Sequence, residues 1–267
     1  MSDLHSDDTL RDLTFTIRQL LAGLSIAALA LSLTACDAGS RRISRSQNDD
    51  TSTAPYQSEV EEGFGAAVAI LIDTSGSMKE AVPGDSRPKA IVAREALEAM
   101  FDATESLIAK RPDFAVKVGI YNFSSDASTV LPMQSFNRGA IRDALARLPR
   151  PGGGTAIGEA MLTARPDLYR AGVFRKYLLV VTDGENTAGR SPDQVAREIF
   201  QKSEQGVAIY FVAFDTSADR FAFLKQVRGD VMGAGNGVEL KRALDEIYQG
   251  RILAEATTLG EREPESR

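Results

Sequence analysis

Histidine and cysteine are almost missing from this sequence, which has one of each in 267 residues. His5 and Cys36 both lie near the amino terminus, so the rest of the chain has neither an imidazole nor a thiol. This excludes Ser-His-Asp and Cys-His catalysis from the main body, together with the histidine and cysteine ligand sets that bind zinc most often. A functional site in the main body must therefore use other side chains.

The sequence also lacks an excess of positive charge and the common phosphate-binding loops. Its formal net charge is −6, and it contains no basic helix and no alternation of basic with aromatic residues, which argues against a nucleic-acid partner. The Gly-x-x-x-x-Gly-Lys-Ser/Thr, Gly-x-Ser-x-Gly and Gly-x-Gly-x-x-Gly patterns are absent. Nucleotide-binding loops of these types and the hydrolase nucleophile elbow are thereby excluded.

An uncharged apolar run extends over Leu20–Ala35 and ends directly before Cys36. It is short for a membrane-spanning helix, which needs about 20 residues, and it fits the apolar part of a secretory signal. Its last residues together with Cys36 resemble the lipobox of bacterial lipoproteins, in which the cysteine is acylated and becomes the new amino terminus. We therefore expect a lipoprotein signal peptide over residues 1–35 and a lipid on Cys36; the alternative is an uncleaved signal anchor.

The segment after Cys36 is polar, mixed in charge and almost free of large aliphatic residues. Such a composition cannot bury a core, so we expect a disordered tether over residues 36–63, a folded domain over 64–255 and a flexible tail over 256–267. The lipid would hold the domain at a bacterial membrane, facing the periplasm or the cell exterior. Asp37 resembles the signal that keeps lipoproteins of enteric bacteria in the inner membrane.

Apolar segments alternate with amphipathic ones between the tether and the tail. Strands are predicted at Ala66–Ile72, Ala115–Phe123, Thr129–Met133, Tyr177–Val181, Val207–Ala213 and near Val231. Helices are predicted at Lys89–Ala109, from Asn137 to Leu148, after Thr155, from Ser191 onwards, at Asp219–Val227 and at Val238–Ala254. Continuous apolar strands that alternate with helices predict an α/β fold, with a parallel sheet covered by helices on both faces.

Polar residues follow two of the predicted strands, at Asp73–Ser77 and Thr182–Asn186. A third polar segment is the glycine-rich loop Gly152–Thr155, which precedes a predicted helix. Ligands of open α/β sheets bind beyond the carboxyl ends of the strands, so these three segments should meet at one edge. They supply two carboxylates and several hydroxyls, without histidine or sulfur. Hard oxygen donors of this kind predict Mg²⁺, with Mn²⁺ and Ca²⁺ as alternative cations.

The pattern Asp73-x-Ser75-x-Ser77, with Thr155 after glycines and Asp183 before a glycine, resembles the metal-ion-dependent adhesion site of the von Willebrand factor A family. The resemblance covers about residues 64–255. It implies one doubly wound, mostly parallel six-stranded sheet with an antiparallel edge strand. It also implies that both serines bind the metal directly and that both aspartates act mainly through water. Thr155 would bind the metal directly or through water, depending on the ligand state. The open metal position would take an acidic side chain of a partner protein.

The resemblance therefore implies a metal-dependent protein-binding domain for adhesion or scaffolding, and no enzymatic activity. One alternative is a Mg²⁺-dependent phosphohydrolase of the haloacid dehalogenase type with Asp73 as its nucleophile. Ser75 disfavours it, because that group usually has a second aspartate at this position. The other alternative is an assembly protein of the cell envelope that works without a metal.

Overall fold

A computed structural model describes residues 63–203 and 206–254 of the chain. The strands are β1 (Gly63–Asp73), β2 (Ala115–Phe123), β3 (Ala127–Ser135), β4 (Val173–Thr182), β5 (Val207–Phe214) and β6 (Gly229–Ala234). They form one sheet in the order β3-β2-β1-β4-β5-β6. All neighbouring pairs are parallel except β2 and β3, which are antiparallel. The predicted doubly wound, mostly parallel six-stranded sheet is confirmed, and so is its antiparallel edge strand.

The α-helices are α1 (Lys89–Met100), α2 (Asp102–Lys110), α3 (Arg138–Ala146), α4 (Ile157–Tyr169), α5 (Pro192–Lys202) and α6 (Gly237–Asp245). Short 3₁₀-helices span Gly76–Lys79 and Ala218–Gln226, and a π-helix over Glu246–Leu253 continues α6. Asn137 caps α3 as its residue type predicts, because its side-chain oxygen accepts the Ala140 N–H at 2.9 Å.

Both faces of the sheet are buried, since successive strand residues point to opposite sides. Val68, Ile70 and Ile72 of β1 pack in one apolar cluster with residues of α1, α3 and α6. Ala67, Ala69 and Leu71 pack in a second cluster with α4 and α5. The central strand β1 can therefore be apolar from Ala66 to Ile72, and its polar residue, Asp73, is the last residue of the strand.

The predicted single helix Lys89–Ala109 is wrong in one respect, because the chain turns at Phe101 and forms two helices. Phe101 has φ −81° and ψ −7°, and α2 begins directly after it. The Phe101 ring is fully buried and packs edge-on against Tyr248, with ring centroids 5.4 Å apart. The turn contains neither proline nor glycine, so no local sequence signal marks it.

Several predictions concern residues outside the described ranges. These are the signal peptide (1–35), the lipidated Cys36, residues 36–62 of the tether and the tail (256–267). Gly63, predicted as the last residue of the tether, is instead the first residue of β1. Within residues 63–203 and 206–254, no helix is both long enough and apolar enough to cross a membrane.

Candidate metal site

Asp73 is the last residue of β1 and is fully buried. One of its carboxylate oxygens accepts the Ser75 N–H at 2.7 Å, and the other accepts the Thr182 hydroxyl at 2.6 Å. Thr182 ends β4, which lies beside β1 in the sheet, with Ile72 opposite Val181. The parallel pairing of two adjacent strands therefore positions this carboxylate at the carboxyl edge of the sheet.

Ser75, Ser77 and Asp183 continue the same network. The Ser75 and Ser77 hydroxyl oxygens are 3.1 Å apart, and the Ser77 hydroxyl donates to Oδ1 of Asp183 at 2.7 Å. Together with the Asp73 contacts, these bonds connect four of the five predicted metal ligands from β1 across to the loop after β4. The serines and both aspartates thus meet as the sequence predicts.

Thr155 reaches the same edge through the glycine-rich loop before α4. The Gly152 N–H donates to the Thr74 carbonyl at 2.8 Å, and the Gly76 N–H donates to the Gly153 carbonyl at 3.1 Å. The Thr155 N–H in turn donates to the Thr187 hydroxyl at 2.8 Å. The loop is therefore joined by backbone hydrogen bonds to the Asp73–Ser77 segment on one side and to the loop after β4 on the other.

Gly153 is a position in this loop where a side chain would not fit. Its φ is +79°, a left-handed conformation that residues with a Cβ rarely adopt, and a Cβ there would lie 2.6 Å from Oγ of Ser125. Ser125 Oγ also accepts the Gly154 N–H at 2.9 Å. The glycine thus lets the loop approach both the Asp73–Ser77 segment and the end of β2.

These residues fall within a region that matches a known family. The model of the von Willebrand factor type A (VWA) domain matches residues 67–237. The chain belongs to the VWA family. The match begins inside β1 and ends at the start of α6, so it contains most of β1, all of β2 to β6 and all five predicted site residues.

One curated protein and two solved structures are similar to this chain at low identity. YwmC from Bacillus subtilis (strain 168) is 26% identical over 168 residues, which are 61% of this chain and 72% of YwmC. The PilB minor pilin from Streptococcus sanguinis has a TM-score of 0.58 at 14% identity, with 77% of this chain covered and 64% of the pilin. Proximal thread matrix protein 1 from the mussel byssus, with a zinc-occupied MIDAS motif, has a TM-score of 0.55 at 19% identity, with 70% and 46% covered. This chain thus spans less than two thirds of either solved structure, and these two likenesses show the fold alone.

The electrostatics of the VWA site suit a bound cation. Burial raises the pKa of Asp73 to about 6, although hydrogen bonds from Ser75 and Thr182 act in the opposite direction. Both hydrogen-bond donors to the Asp73 carboxylate are neutral groups, so the charged form has no positive partner in these bonds. A divalent cation at this edge would stabilise the buried negative charge.

The donor set of the VWA site fits a hard metal ion better than a soft one. The five predicted ligands offer only hydroxyl and carboxylate oxygens, as Mg²⁺ prefers. In the two described ranges, no group of three or more His, Cys, Asp and Glu side chains is arranged to hold a metal. A metal at this VWA site would therefore need the serine and threonine hydroxyls, together with water.

The sequence analysis did not assign a role to three residues that the structure places at this site. Thr182 binds Asp73 directly. The buried ammonium of Lys89 lies 3.1 Å from Oδ2 of Asp183 and 2.8 Å from Oδ2 of Asp215. Asp215 follows β5 directly, so the rule that selected the other strand ends could have found it. Lys89 gave no signal, because a lysine at the start of a helix resembles any surface lysine.

Proposed function

We propose that this VWA domain binds a divalent cation through Ser75, Ser77 and Thr155, with Asp73 and Asp183 acting mainly through water, and uses the cation to bind an acidic side chain of a protein partner. The observation that carries the proposal is the hydrogen-bond network in which Asp73 accepts the Ser75 N–H, the Ser75 hydroxyl lies 3.1 Å from that of Ser77, and Ser77 donates to Asp183. Two carboxylates balance the two charges of Mg²⁺. A carboxylate from a partner would then meet a cation that is only weakly shielded.

Mg²⁺ titration of the purified chain by calorimetry tests the metal site. We expect saturable binding that Asp73→Ala abolishes, because this change removes the carboxylate at the centre of the network. Asp113→Ala is a matched control, since Asp113 is an exposed aspartate just before β2, at the opposite edge of the sheet. Absence of binding at millimolar Mg²⁺, Mn²⁺, Ca²⁺ and Zn²⁺ would contradict the proposal; Zn²⁺ is included because of the mussel protein's zinc site.

The same arrangement disfavours the phosphohydrolase alternative. A nucleophilic Asp73 would need a carboxylate oxygen open to substrate, yet the residue is fully buried and both oxygens accept hydrogen bonds at 2.7 Å or less. We therefore propose a binding role without turnover. Phosphatase activity that Asp73→Asn abolishes would overturn this assignment.

Partner binding should depend on the metal. Ser75→Ala and Asp183→Ala should each weaken capture of a partner, as should a chelator, because each removes the cation or its ligands. Ser135→Ala is the matched serine control, since Ser135 ends β3 at the far edge of the sheet and is exposed. A partner that binds all of these variants equally would instead support a metal-independent assembly role.

We further propose that a lipid on Cys36 anchors the domain to a bacterial membrane, facing the periplasm or the cell exterior. The support is the apolar run and the lipobox-like residues that precede Cys36, with Asp37 compatible with the inner membrane. Two or more acyl chains would hold the protein stably. After expression in a bacterium, the protein should partition into the detergent phase, and Cys36→Ser should move it to the aqueous phase; equal partitioning of both would contradict the anchor.

A further inference from the structure

Lys89 occupies a position that is unfavourable for a lysine in two ways. Its side chain is only 4% exposed, although lysine is almost never fully buried without a partner. It is also the first residue of α1, where the helix dipole disfavours a positive charge. A residue that contradicts two local preferences needs a compensating interaction, and such conflicts concentrate at functional sites.

The compensation comes from carboxylates at three points of the site. The Lys89 ammonium lies 2.8 Å from Asp215, 3.1 Å from Asp183 and 3.4 Å from the largely exposed Glu80. Burial alone would favour the neutral amine, but the Asp215 and Asp183 carboxylates, both within 3.1 Å of the nitrogen, stabilise the ammonium. The side chain is therefore a permanent positive charge within the candidate metal site.

Asp183 is shared between this lysine and the metal network. Its Oδ1 accepts the Ser77 hydroxyl, whereas its Oδ2 faces the Lys89 ammonium. Two different partners on the two oxygens fix the orientation of the carboxylate. Lys89 therefore positions Asp183, and it also lowers the negative charge available to a cation there.

Asp215 holds the lysine from the other side at a conformational cost. Its φ is +52°, the left-handed region that a non-glycine residue seldom adopts, and its N–H donates to the Ala234 carbonyl at the end of β6 at 2.7 Å. The backbone is thus held in a strained conformation that presents a carboxylate to Lys89. Asp215 adds a third negative charge to the site, and Lys89 offsets it.

We propose that Lys89 is a positioning and charge-setting residue, which weakens the hold of the site on its metal so that the metal keeps its attraction for an acidic partner. This inference rests on the proposed metal-dependent function. The largely exposed Glu80 is screened by water and is left out of the count. With Lys89 present, the carboxylates of Asp73, Asp183 and Asp215 then leave two uncompensated negative charges for a divalent cation. Without Lys89 there are three, so the cation binds more tightly and an incoming carboxylate is repelled.

Four variants of the full chain separate charge from structural damage. Calorimetric titration with Mg²⁺ should show that Lys89→Met tightens binding by roughly tenfold, because a nearby positive charge is removed. Asp215→Asn should weaken Mg²⁺ binding several-fold, since one negative charge is removed. The double variant should return close to the wild-type affinity, and Lys89→Arg should retain it. Damage to the fold would weaken Mg²⁺ binding in every variant, whereas we expect the affinity to follow the net charge of the site. Circular dichroism verifies that each variant is folded.

Acetate serves as the probe for an acidic partner. Acetate should increase the apparent Mg²⁺ affinity of the wild-type chain. The increase should be smaller for Lys89→Met and larger for Asp215→Asn. One outcome is that the wild-type chain binds Mg²⁺, Asp73→Ala does not, and Lys89→Met has the same Mg²⁺ affinity as the wild type or a lower one. This outcome would overturn the role of Lys89 while the proposed function stands. If neither the wild-type chain nor Lys89→Met binds Mg²⁺, both fail. Mg²⁺ binding by Lys89→Met alone would mean that the wild-type chain lacks the metal that the proposed function requires, and would overturn both.

Discussion

At the residue scale, Asp73 makes the metal-free domain sensitive to pH. Its pKa of about 6 in the folded chain lies above its ordinary value of 3.8, because burial disfavours the carboxylate. Between about pH 4 and 6 the folded state therefore keeps a proton that the unfolded state has lost. The free energy of unfolding contributed by this group is highest below pH 4 and falls as pH rises to about 6.

We expect this contribution to fall by on the order of 3 kcal/mol between pH 4 and 7 in the presence of a chelator. Denaturant unfolding of the wild-type chain and of Asp73→Asn, measured across this range, isolates the effect, because asparagine does not titrate. The difference in unfolding free energy between the two proteins should shift in favour of the variant as pH rises. A difference that stays constant with pH would show that Asp73 is ionised throughout.

Thr182 is the second residue whose role can be tested alone. Its hydroxyl donates to the buried Asp73 carboxylate, and valine has the same shape without a donor. We expect Thr182→Val to cost about 1 to 3 kcal/mol of stability and to weaken Mg²⁺ binding, because it leaves Asp73 less well oriented. Thr129→Val on the edge strand β3 is the control, since Thr129 is exposed. Unchanged Mg²⁺ affinity in Thr182→Val would exclude an orienting role.

The residues of this site differ in how far the sequence could identify them. Asp73 and Asp183 stand directly at or after strand ends, and the family pattern links them with the serines and with Thr155. Thr182 directly precedes Asp183 of that pattern, but only the pairing of β1 with β4 shows that it faces Asp73. The role of Lys89 depends on contacts with residues 94 and 126 positions away, and no local pattern encodes such contacts.

At the element scale, the loop after β4 determines where α4 begins. Oδ1 of Asn186 accepts the N–H of Ile157, the first residue of α4, at 2.8 Å, and its Nδ2 donates to the Ala188 carbonyl at 2.9 Å. Thr187 accepts the Thr155 N–H from the same loop. One short segment thus caps a helix and positions Thr155, the proposed metal ligand.

We expect Asn186→Ala to lower the free energy of unfolding by about 1 to 2 kcal/mol, because it removes this cap. It should also weaken Mg²⁺ binding, since Thr155 lies two residues before Ile157. Asn186→Asp is the matched variant, because it keeps the accepting oxygen and adds a negative charge that suits a helix amino terminus. Thermal unfolding should rank the proteins as wild type, Asp variant and Ala variant; an Ala variant as stable as the wild type would refute the capping role.

Helix ends show why local patterns predict some elements and miss others. Asn137 caps α3 as expected. Ser191 precedes α5, whose first residue is proline, and this pattern predicts a capping box with Gln194. In the structure the Ser191 hydroxyl instead donates to the Asp193 side chain and makes no capping hydrogen bond. A nearby carboxylate competes with the backbone for the serine hydroxyl, and the sequence pattern does not show which partner prevails.

At the scale of the whole molecule, the site depends on the sheet order. In the order β3-β2-β1-β4-β5-β6, the chain leaves β1 for one side of the sheet and later returns to β4 on the other. The loops after β1 and β4 therefore diverge at the carboxyl edge and leave a crevice between them, where ligands of such folds bind. Asp73 ends β1 and Asp183 begins the loop after β4, so a metal held by both should stabilise the folded domain as a whole.

A bound metal should therefore raise the unfolding temperature of the whole domain. At a Mg²⁺ concentration about 100 times the dissociation constant, binding to the folded state alone contributes about 2.7 kcal/mol. For a domain of about 200 residues this corresponds to a rise in Tm of roughly 5 to 10 °C. Calorimetric melting of the full chain with Mg²⁺ or with chelator should show this difference in wild type and in Asp113→Ala, but not in Asp73→Ala. An equal rise in Asp73→Ala would mean that Mg²⁺ stabilises the protein elsewhere, because that variant lacks the carboxylate that joins β1 to β4.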